Sequence, residues 1–305
     1  MLDKNHVYRL FKNIIEKGVV LIDEPMKKHT SFKIGGPVDV FVIPGTIEEL
    51  ANSIKLCKDE GLNYFVMGNG SNLVIRDKGI RGVVIKISEH LSQIKVEGTK
   101  IIAEAGALLS AVSKVALKYS LSGLEFASGI PGSLGGAIAM NAGAYGGEMK
   151  DVVTKVLCLD TDGNFIEYEN KDMRFGYRQS RVQDENLIVV QVEMKLKEGK
   201  YEDIKAYMDE LTEKRTSKQP LNLPSAGSVF KRPEGHFAGK LIEDAGLKGL
   251  RLGDAQVSEK HSGFIVNVGE ATSNDVINLI KVVQKTISDK FGVKLETEVK
   301  ILGEE

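Results

Sequence analysis

The stretch SGIPGSLGGAIAMNAGAYGGE, residues 128–148, holds seven glycines among small side chains and Pro131, too few large side chains for an ordinary core element. Glycine lacks a Cβ, so main-chain N–H groups can approach a ligand closely and φ > 0 becomes accessible, at a cost in conformational entropy. The stretch reads as a ligand cradle, with pyrophosphate as its natural guest. On composition alone, the alternative is a run of glycine turns packed between two sheets.

A second cluster, VMGNGSNLVI at residues 66–75, sets Gly68, Asn69, Gly70, Ser71 and Asn72 between two short apolar runs of strand character. This predicts a strand–loop–strand phosphate site. Leu73 stands where the dinucleotide fingerprint needs a third glycine, and no helical pattern follows at once, which disfavours a Rossmann fold. The glycine, lysine and Ser/Thr spacing of a nucleoside-triphosphate loop is absent from the sequence.

A chain of 305 residues can bury a sizeable core and is expected to fold as two or three domains. Its 41 basic and 42 acidic residues leave a net charge of −1, so no global field draws it to nucleic acid or an anionic membrane. Cys57 and Cys158 have no paired spacing and no secretory leader ahead of them, which fits a reduced cytoplasm and excludes a structural zinc cluster. Both read as buried hydrophobes. No apolar run approaches the ~20 residues needed to span a bilayer. A soluble, cytoplasmic protein is expected, acting as a monomer.

Along the chain, Val7, Leu10, Phe11, Ile14 and Ile15 predict an amphipathic opening helix. Residues 38–43 alternate as a strand, and Thr46 with Glu49 three residues later predicts a capping box on a helix ending near Gly61. Strands at residues 64–67 and 83–87 complete an α/β lobe. A second lobe opens with a strand at 101–104 and a helix whose stripe is Leu108, Leu109, Val112, Val115, Ala116 and Tyr119. After the cradle come strands at 152–159, 165–168 and 187–196, the first two joined by a hairpin turn at Thr161, Asp162, Gly163 and Asn164. A polar helix over 202–218 then leaves that lobe, and Pro220, Pro224 and Pro233 mark a boundary. Beyond it the pattern predicts a helix at 238–245, a strand at 263–268, a long helix capped by Ser273 and reaching Phe291, and an alternating strand at 294–302. The implied division is an N-terminal helix 1–19, lobes 20–90 and 91–200, and a C-terminal domain 201–305.

Three regions could carry chemistry. MRFGYRQSR, residues 173–181, groups a tyrosine with three arginines, whose planar forks suit a carboxylate or an enolate; a solvated loop explains them as well. SAGSVFKRP, residues 225–233, offers Ser228 in a proline-flanked loop. A serine hydroxyl is a weak acid that protonates only a strongly basic carbanion, and an ordinary ST-turn is the competing reading. In KLETEVKIL, residues 294–302, alternation alone would make Glu296 and Glu298 solvent-facing. His261 has no second histidine or carboxylate at ligand spacing, so no metal site is expected. A Ser–His–Asp hydrolase lacks its G-x-S-x-G elbow.

The ordered set TSFKIGGP, GNGSNLVIRD, the 128–148 cradle, FGYRQS, RTSKQP, AGSVFKRP, QVSEKHSGFIVN and LETEV spans nearly the whole chain. It resembles the UDP-N-acetylenolpyruvoylglucosamine reductases, flavoenzymes of bacterial cell-wall synthesis. The resemblance implies an α/β (α+β) fold: a two-lobed FAD-binding domain of the vanillyl-alcohol-oxidase type plus a C-terminal α+β substrate-binding domain. It implies FAD and NADPH as cofactors and UDP-N-acetylglucosamine enolpyruvate as substrate. FAD would lie against Gly68, Asn69, Gly70, Ser71 and Asn72, and against Ser128, Gly129, Ile130, Pro131, Gly132, Gly135, Gly136, Asn141, Gly143, Ala144 and Tyr145. Hydride would pass from NADPH to flavin N5 and on to C3 of the enolpyruvyl group. Ser228 would protonate C2, with Arg178 and Glu298 stabilising the enolate. Substrate contacts are implied at Tyr177, Arg215, Lys218, Arg232 and His261, Arg232 standing where many relatives carry asparagine. With no long insertion between Val182 and Gln191, the chain resembles the shorter family type that lacks a tyrosine-bearing flap. A flavin oxidase of the same superfamily and a catalytically silent nucleotide-sugar sensor are the competing functions.

Overall fold

The computed structural model describes residues 2–305, which fall into two compact units. The first takes the chain up to Ile22 together with Val40–Asn69 and Gly82–Arg215. The second takes Asp23–Asp39, Gly70–Arg81 and Thr216–Glu305. Among the described residues no helix is long and apolar enough to cross a membrane, and no three His, Cys, Asp or Glu side chains group to hold a metal ion.

Two sheets lie mainly in the first unit. One runs in the order Val19–Pro25, Pro37–Ile43, Ile80–Lys86, Tyr64–Met67, its last two strands parallel with Tyr64 opposite Val83. The helix Ile47–Asp59 makes the crossover from Pro37–Ile43 to Tyr64–Met67. The other sheet is antiparallel, in the order Phe165–Glu169, Val153–Leu159, Ile188–Lys195, Lys100–Glu104, Ile94–Glu97. Its hairpin turns where expected: Asp160 accepts the N–H groups of Asp162 and Asn164, both at 2.8 Å, and Gly163 takes φ +79°. Phe11, Val42, Leu50, Ile54, Val83, Ile101, Leu109, Leu134, Val156 and Met194 form the core. Cys57 and Cys158 are part of it, and burial pushes each thiol up to about 12, far from reactivity. In the helix Leu109–Lys118 the buried stripe is narrower than the sequence suggested: Leu108 and Tyr119 occupy the cap positions and stay exposed.

In the second unit, Ser225–Ser228, Phe264–Asn267, Ala255–Val257 and Arg251–Leu252 form an antiparallel sheet in that order. The helix Ser273–Phe291 buries Val276, Leu279, Ile280, Val283 and Ile287, a 3.6-residue period, over a core with Phe32, Val74, Phe230, Ile242, Ile265 and Val299. Its cap is Thr272, not Ser273. Thr272 holds the extended conformation and accepts the Asp275 N–H at 3.1 Å, while Asp275 accepts the Thr272 N–H at 2.9 Å. Ser273 instead accepts the Asp77 N–H at 3.0 Å. The expected strand at 294–302 is also corrected. Only Lys300–Leu302 is a strand, parallel to Leu73–Ile75. Leu295 and Val299 are buried on one face, as alternation predicts, but residues 294–299 form no ladder, and Thr297 makes a single bridge with Phe230.

Thr46 caps its helix by accepting the Glu49 N–H at 3.1 Å, but Glu49 does not close a capping box. Its carboxylate accepts the N–H groups of Glu16 at 2.9 Å, Lys17 at 2.7 Å and Gly45 at 2.7 Å, fastening the loop after the opening helix. Burial works to raise this carboxyl, yet the three main-chain donors prevail and hold it below the ordinary value of 4.5. A depressed folded-state value stabilises the fold above the unfolded value, and that contribution is lost as pH falls through the folded value. Glu49→Gln should therefore lower unfolding free energy at pH 7 by about 1–3 kcal/mol. In chemical denaturation followed from pH 7 to pH 3, the gap between variant and wild type should shrink below the ordinary 4.5.

Candidate functional site

The cradle is built from local rules. After the 3-10 turn Glu125–Ala127, residues 128–132 form a loop in which Gly132 takes φ +118°; Ile130 is half-buried and Pro131 exposed. Ser133 ends the loop and caps the short helix Leu134–Ala139, accepting the Gly136 N–H at 3.4 Å. Further on, Gly143–Ala144 pairs with Gly147–Glu148, and the residues between, Tyr145 and Gly146, both have positive φ, +53° and +90°. That is the backbone of a type I′ hairpin turn, with Tyr145 exposed at its tip.

The glycines have two distinct causes. At Gly68 a methyl group would run into Ser133 Oγ, and at Gly135 it would meet Ala105 Cβ at 3.0 Å, so these positions let protein pack on protein. At Gly129 it would meet the stem of Arg215 at 2.9 Å. Gly136 differs: it is exposed, and a methyl group there would touch only Ser133 Oγ at 3.5 Å. Gly136 lines a cavity of about 110 Å³ with Gly68, Ser133, Gly135, Ala105 and Val189. The missing side chain thus enlarges an open space. This fits a ligand cradle at Gly136.

Asn141, 1% exposed and at φ +40°, joins the cradle to the arginine loop. Its amide donates to Glu148 Oε2 at 2.9 Å and Gly176 O at 3.0 Å, and its Oδ1 accepts the Lys150 N–H at 3.0 Å. Ser180 Oγ and Gln183 Nε2 both donate to Ala139 O, at 3.0 and 2.6 Å, and Gln183 also donates to Arg178 O at 3.0 Å. The loop is therefore docked on the end of the cradle helix and is not a solvated excursion. Gly176 and Gln179 bridge around a tight turn, with Tyr177 and Arg178 at its tip and Arg178 at φ +57°. An arginine in the left-handed region is strained, and such strain concentrates at functional positions. Its guanidinium lies 5.1 Å from the Tyr177 ring. Arg174 and Arg181 both pair with Glu185, which gives them a holding role. Of the three arginines, Arg178 stands at the turn beside the cradle.

Arg215 packs on Gly129, and burial lowers its pKa, opposed by Tyr145. Its Nε is buried with no hydrogen-bond partner among the described residues. A buried guanidinium N–H in that state suits an arriving anion.

In the second unit, Ser228 ends its strand opposite Phe264, with a register shift between Ser225 and Ser228. Gly227 makes this bulge at φ +76°, with nothing within 4 Å of a Cβ, so it is the conformation that demands glycine there. The next residue meets the C-terminal segment: Glu298 N–H donates to Val229 O at 2.7 Å. Asn72 Nδ2 donates to Glu298 O at 3.0 Å. The loop bearing Gly70 and Asn72, the Ser228 bulge and Glu298 are thus brought together in one unit. Glu298 is half-buried, and Glu296 is exposed beside Lys231, so the two carboxylates have different surroundings, contrary to simple alternation. Gly70 takes φ +63°, and its carbonyl accepts the Ser31 N–H at 3.3 Å; Ser71 is half-buried.

His261 is a turn residue. Its Nδ1 accepts the Gly263 N–H at 3.1 Å, so Nε2 carries the proton of the neutral ring, which meets Phe264 edge-on at 4.9 Å. Burial lowers its pKa. The Arg232 guanidinium lies 4.0 Å over the Phe237 ring, and Lys218 ends the helix Tyr201–Lys218 in an exposed position. Sequence reading missed the Asn72–Glu298 bond and the holding role of Asn141, since no periodicity reports contacts between distant segments.

Residues 38–169 match the family described as the FAD binding domain. Residues 219–302 match the family described as the C-terminal domain of UDP-N-acetylenolpyruvoylglucosamine reductase. The protein of that name from Alkaliphilus oremlandii is 56% identical over 304 residues, covering 100% of both chains. Its namesake from Clostridioides difficile is 53% identical over 304 residues, again covering 100% of each. The crystal structure of UDP-N-acetylenolpyruvylglucosamine reductase from Thermus caldophilus gives a TM-score of 0.81 at 36% identity, over 94% of this chain and 99% of that one. The expected fold class, a vanillyl-alcohol-oxidase-type FAD-binding domain followed by a C-terminal α+β domain, holds.

The two classes of glycine separate in a test. Gly136→Ala should leave the FAD-free protein as stable as wild type or up to ~1 kcal/mol more so, because alanine favours a helix. Its methyl group would overpack the open cradle at about 1–3 kcal/mol, raising the FAD dissociation constant about tenfold or more. Flavin fluorescence titration gives the constant, and an unchanged value would remove Gly136 from the cofactor site.

Proposed function

The chain belongs to the UDP-N-acetylenolpyruvoylglucosamine reductase family, and from that membership we propose that it reduces UDP-N-acetylglucosamine enolpyruvate to UDP-N-acetylmuramate with NADPH. The reaction belongs to peptidoglycan synthesis, in the cytoplasm. Gly68–Asn72 and the cradle from Ser128 to Tyr145 would hold FAD. When bound, FAD supplies the carrier that takes a hydride from the nicotinamide and delivers it to C3 of the enolpyruvyl group.

The chain's own residues then face an electron-rich enolate whose C2 needs a proton and whose oxygens need stabilising. Ser228 is assigned the proton. The weak acidity of a hydroxyl suits this carbanion, which is basic enough to take a proton that few other groups would. Arg178 and Glu298 are assigned the oxygens. Preorganised partners of this kind are typically worth about 3 kcal/mol each. Arg215, whose buried Nε has no hydrogen-bond partner among the described residues, is assigned an anionic group of the substrate, with Tyr177, Lys218, Arg232 and His261 as further contacts. The observation that carries the reading is the 2.7 Å bond from Glu298 N–H to Val229 O, which fixes the backbone of the proposed acid residue next to that of the proposed proton donor.

The test is an anaerobic titration of the purified holoenzyme, watching the visible flavin band. NADPH should bleach it, and the enolpyruvyl sugar nucleotide should restore it. A flavin that returns only with oxygen would favour an oxidase instead. Ser228→Ala should keep the NADPH half-reaction and lose about 10²–10⁴-fold in reoxidation by substrate; if both halves survive, Ser228 is not the donor. Arg178→Lys replaces a planar fork by a point charge and should lower kcat/KM about tenfold or more. Full activity there would remove Arg178 from the enolate.

A further inference from the structure

Glu298 is held through both of its own main-chain polar groups. Its N–H donates to Val229 O at 2.7 Å, and its carbonyl accepts from Asn72 Nδ2 at 3.0 Å. The same Asn72 grips the chain two residues later, since Lys300 N–H donates to Asn72 O at 3.0 Å. Between these two points lies Val299, buried at 3% exposure. The parallel pairing of Leu73–Ile75 with Lys300–Leu302 then continues the contact, Lys300 opposite Leu73. The Asn72 side chain thus extends the ladder past its last backbone bond, an amide standing in for a main-chain donor. A flexible glutamate can be placed only as accurately as its Cα, and this Cα is fixed from residues 72 and 229, both remote in sequence.

We propose that Asn72 is a positioning residue that locks the Glu298 backbone to the loop proposed to hold the cofactor, so that loop and carboxylate form one mechanical piece. The proposal rests on the catalytic role assigned to Glu298 above. It differs from a role for Asn72 as a cofactor ligand alone, because it acts through a protein carbonyl and operates without FAD. Asparagine suits the task by chemistry. Aspartate has the same shape but cannot donate to a carbonyl, and alanine removes the arm altogether. Serine keeps a donor on a shorter arm.

The experiment compares Asn72→Ala, Asn72→Asp and Asn72→Ser with wild type by two readouts. In FAD-free protein, amide hydrogen exchange at Glu298 and Lys300 should be about fivefold faster in the Ala and Asp variants, the loss of one hydrogen bond. Amides in the helix Ser273–Phe291 should be unaffected. In FAD-saturated protein, the ratio of the reoxidation rate with the enolpyruvyl substrate to the reduction rate with NADPH should fall about tenfold from wild type, with Asn72→Ser between. Unchanged exchange at Glu298 overturns the proposal. So does a wild-type ratio once FAD is saturating, which would reduce Asn72 to a cofactor ligand. A uniform loss of protection across the unit would equally overturn it, by making Asn72 a general fold residue. Glu298→Gln, measured alongside, keeps the two readings apart. Wild-type reoxidation in that variant would strike the catalytic role of Glu298, whereas the exchange result judges the lock by itself.

Discussion

Apart from Gly135 and Gly136 in the cradle helix and Arg215 and Lys218 in the helix Tyr201–Lys218, the residues assigned to the site lie on loops, turns or strand ends, where no regular ladder satisfies the main chain. Buried peptide groups in such places need partners from elsewhere, and this structure meets the need with polar side chains reaching across the sequence. Asn141 does so for the cradle, with one amide serving Glu148, Gly176 and Lys150. Gln183 and Ser180 do so for the end of the cradle helix, and Glu49 for the loop donors Glu16, Lys17 and Gly45. Asn72 serves the Glu298 carbonyl. These residues are the fasteners of irregular backbone, and the positions of Arg178 and Glu298 follow from them.

Glycine works against the same background in two ways. At Gly68, Gly135 and Gly147 the absent Cβ lets neighbouring protein close in, on Ser133, Ala105 and Phe126 respectively. At Gly227 the surroundings are open and the left-handed backbone alone decides, producing the bulge before Ser228. Gly136 fits neither case, since it is helical and open. Composition cannot separate these causes, so a glycine-rich segment read from sequence shows that something comes close without showing what. The structure divides the segment: most of its glycines serve packing or turns, whereas Gly136 lines a small cavity.

Much of the local structure was legible because it is local. The helix Ile47–Asp59, the hairpin at Asp162 and Gly163, and the long helix ending at Gly292 in the left-handed conformation all follow from rules that act within a few residues. The errors arose where two local solutions compete or where tertiary bonds override alternation. Thr272 and Ser273 are both good caps, and the extended conformation of Thr272 with its reciprocal Asp275 bond decides between them. Residues 294–299 alternate in sequence, yet their main chain is taken up by Val229 and Gln284, and a strand does not form. Discontinuous units were beyond reach for the same reason: segments 23–39 and 70–81 join the C-terminal part through contacts that no spacing encodes. The family resemblance succeeded because it read the order of whole motifs.

Charge supplies the remaining link between fold and function. A net charge of −1 provides no long-range attraction for an anionic ligand, so attraction for one has to come from individually placed cations. The arginine loop shows how the chain sorts them. Arg174 and Arg181 are neutralised on Glu185, while Arg178 is put at a strained turn beside the cradle. Arg215 goes further, its Nε buried without a hydrogen-bond partner among the described residues and its pKa lowered by burial. Leaving a buried guanidinium N–H unsatisfied costs stability in the free protein, and an incoming acceptor offsets that cost. An arginine kept in this condition makes the binding of an anion more favourable than an exposed cation would, because the desolvation has already occurred during folding.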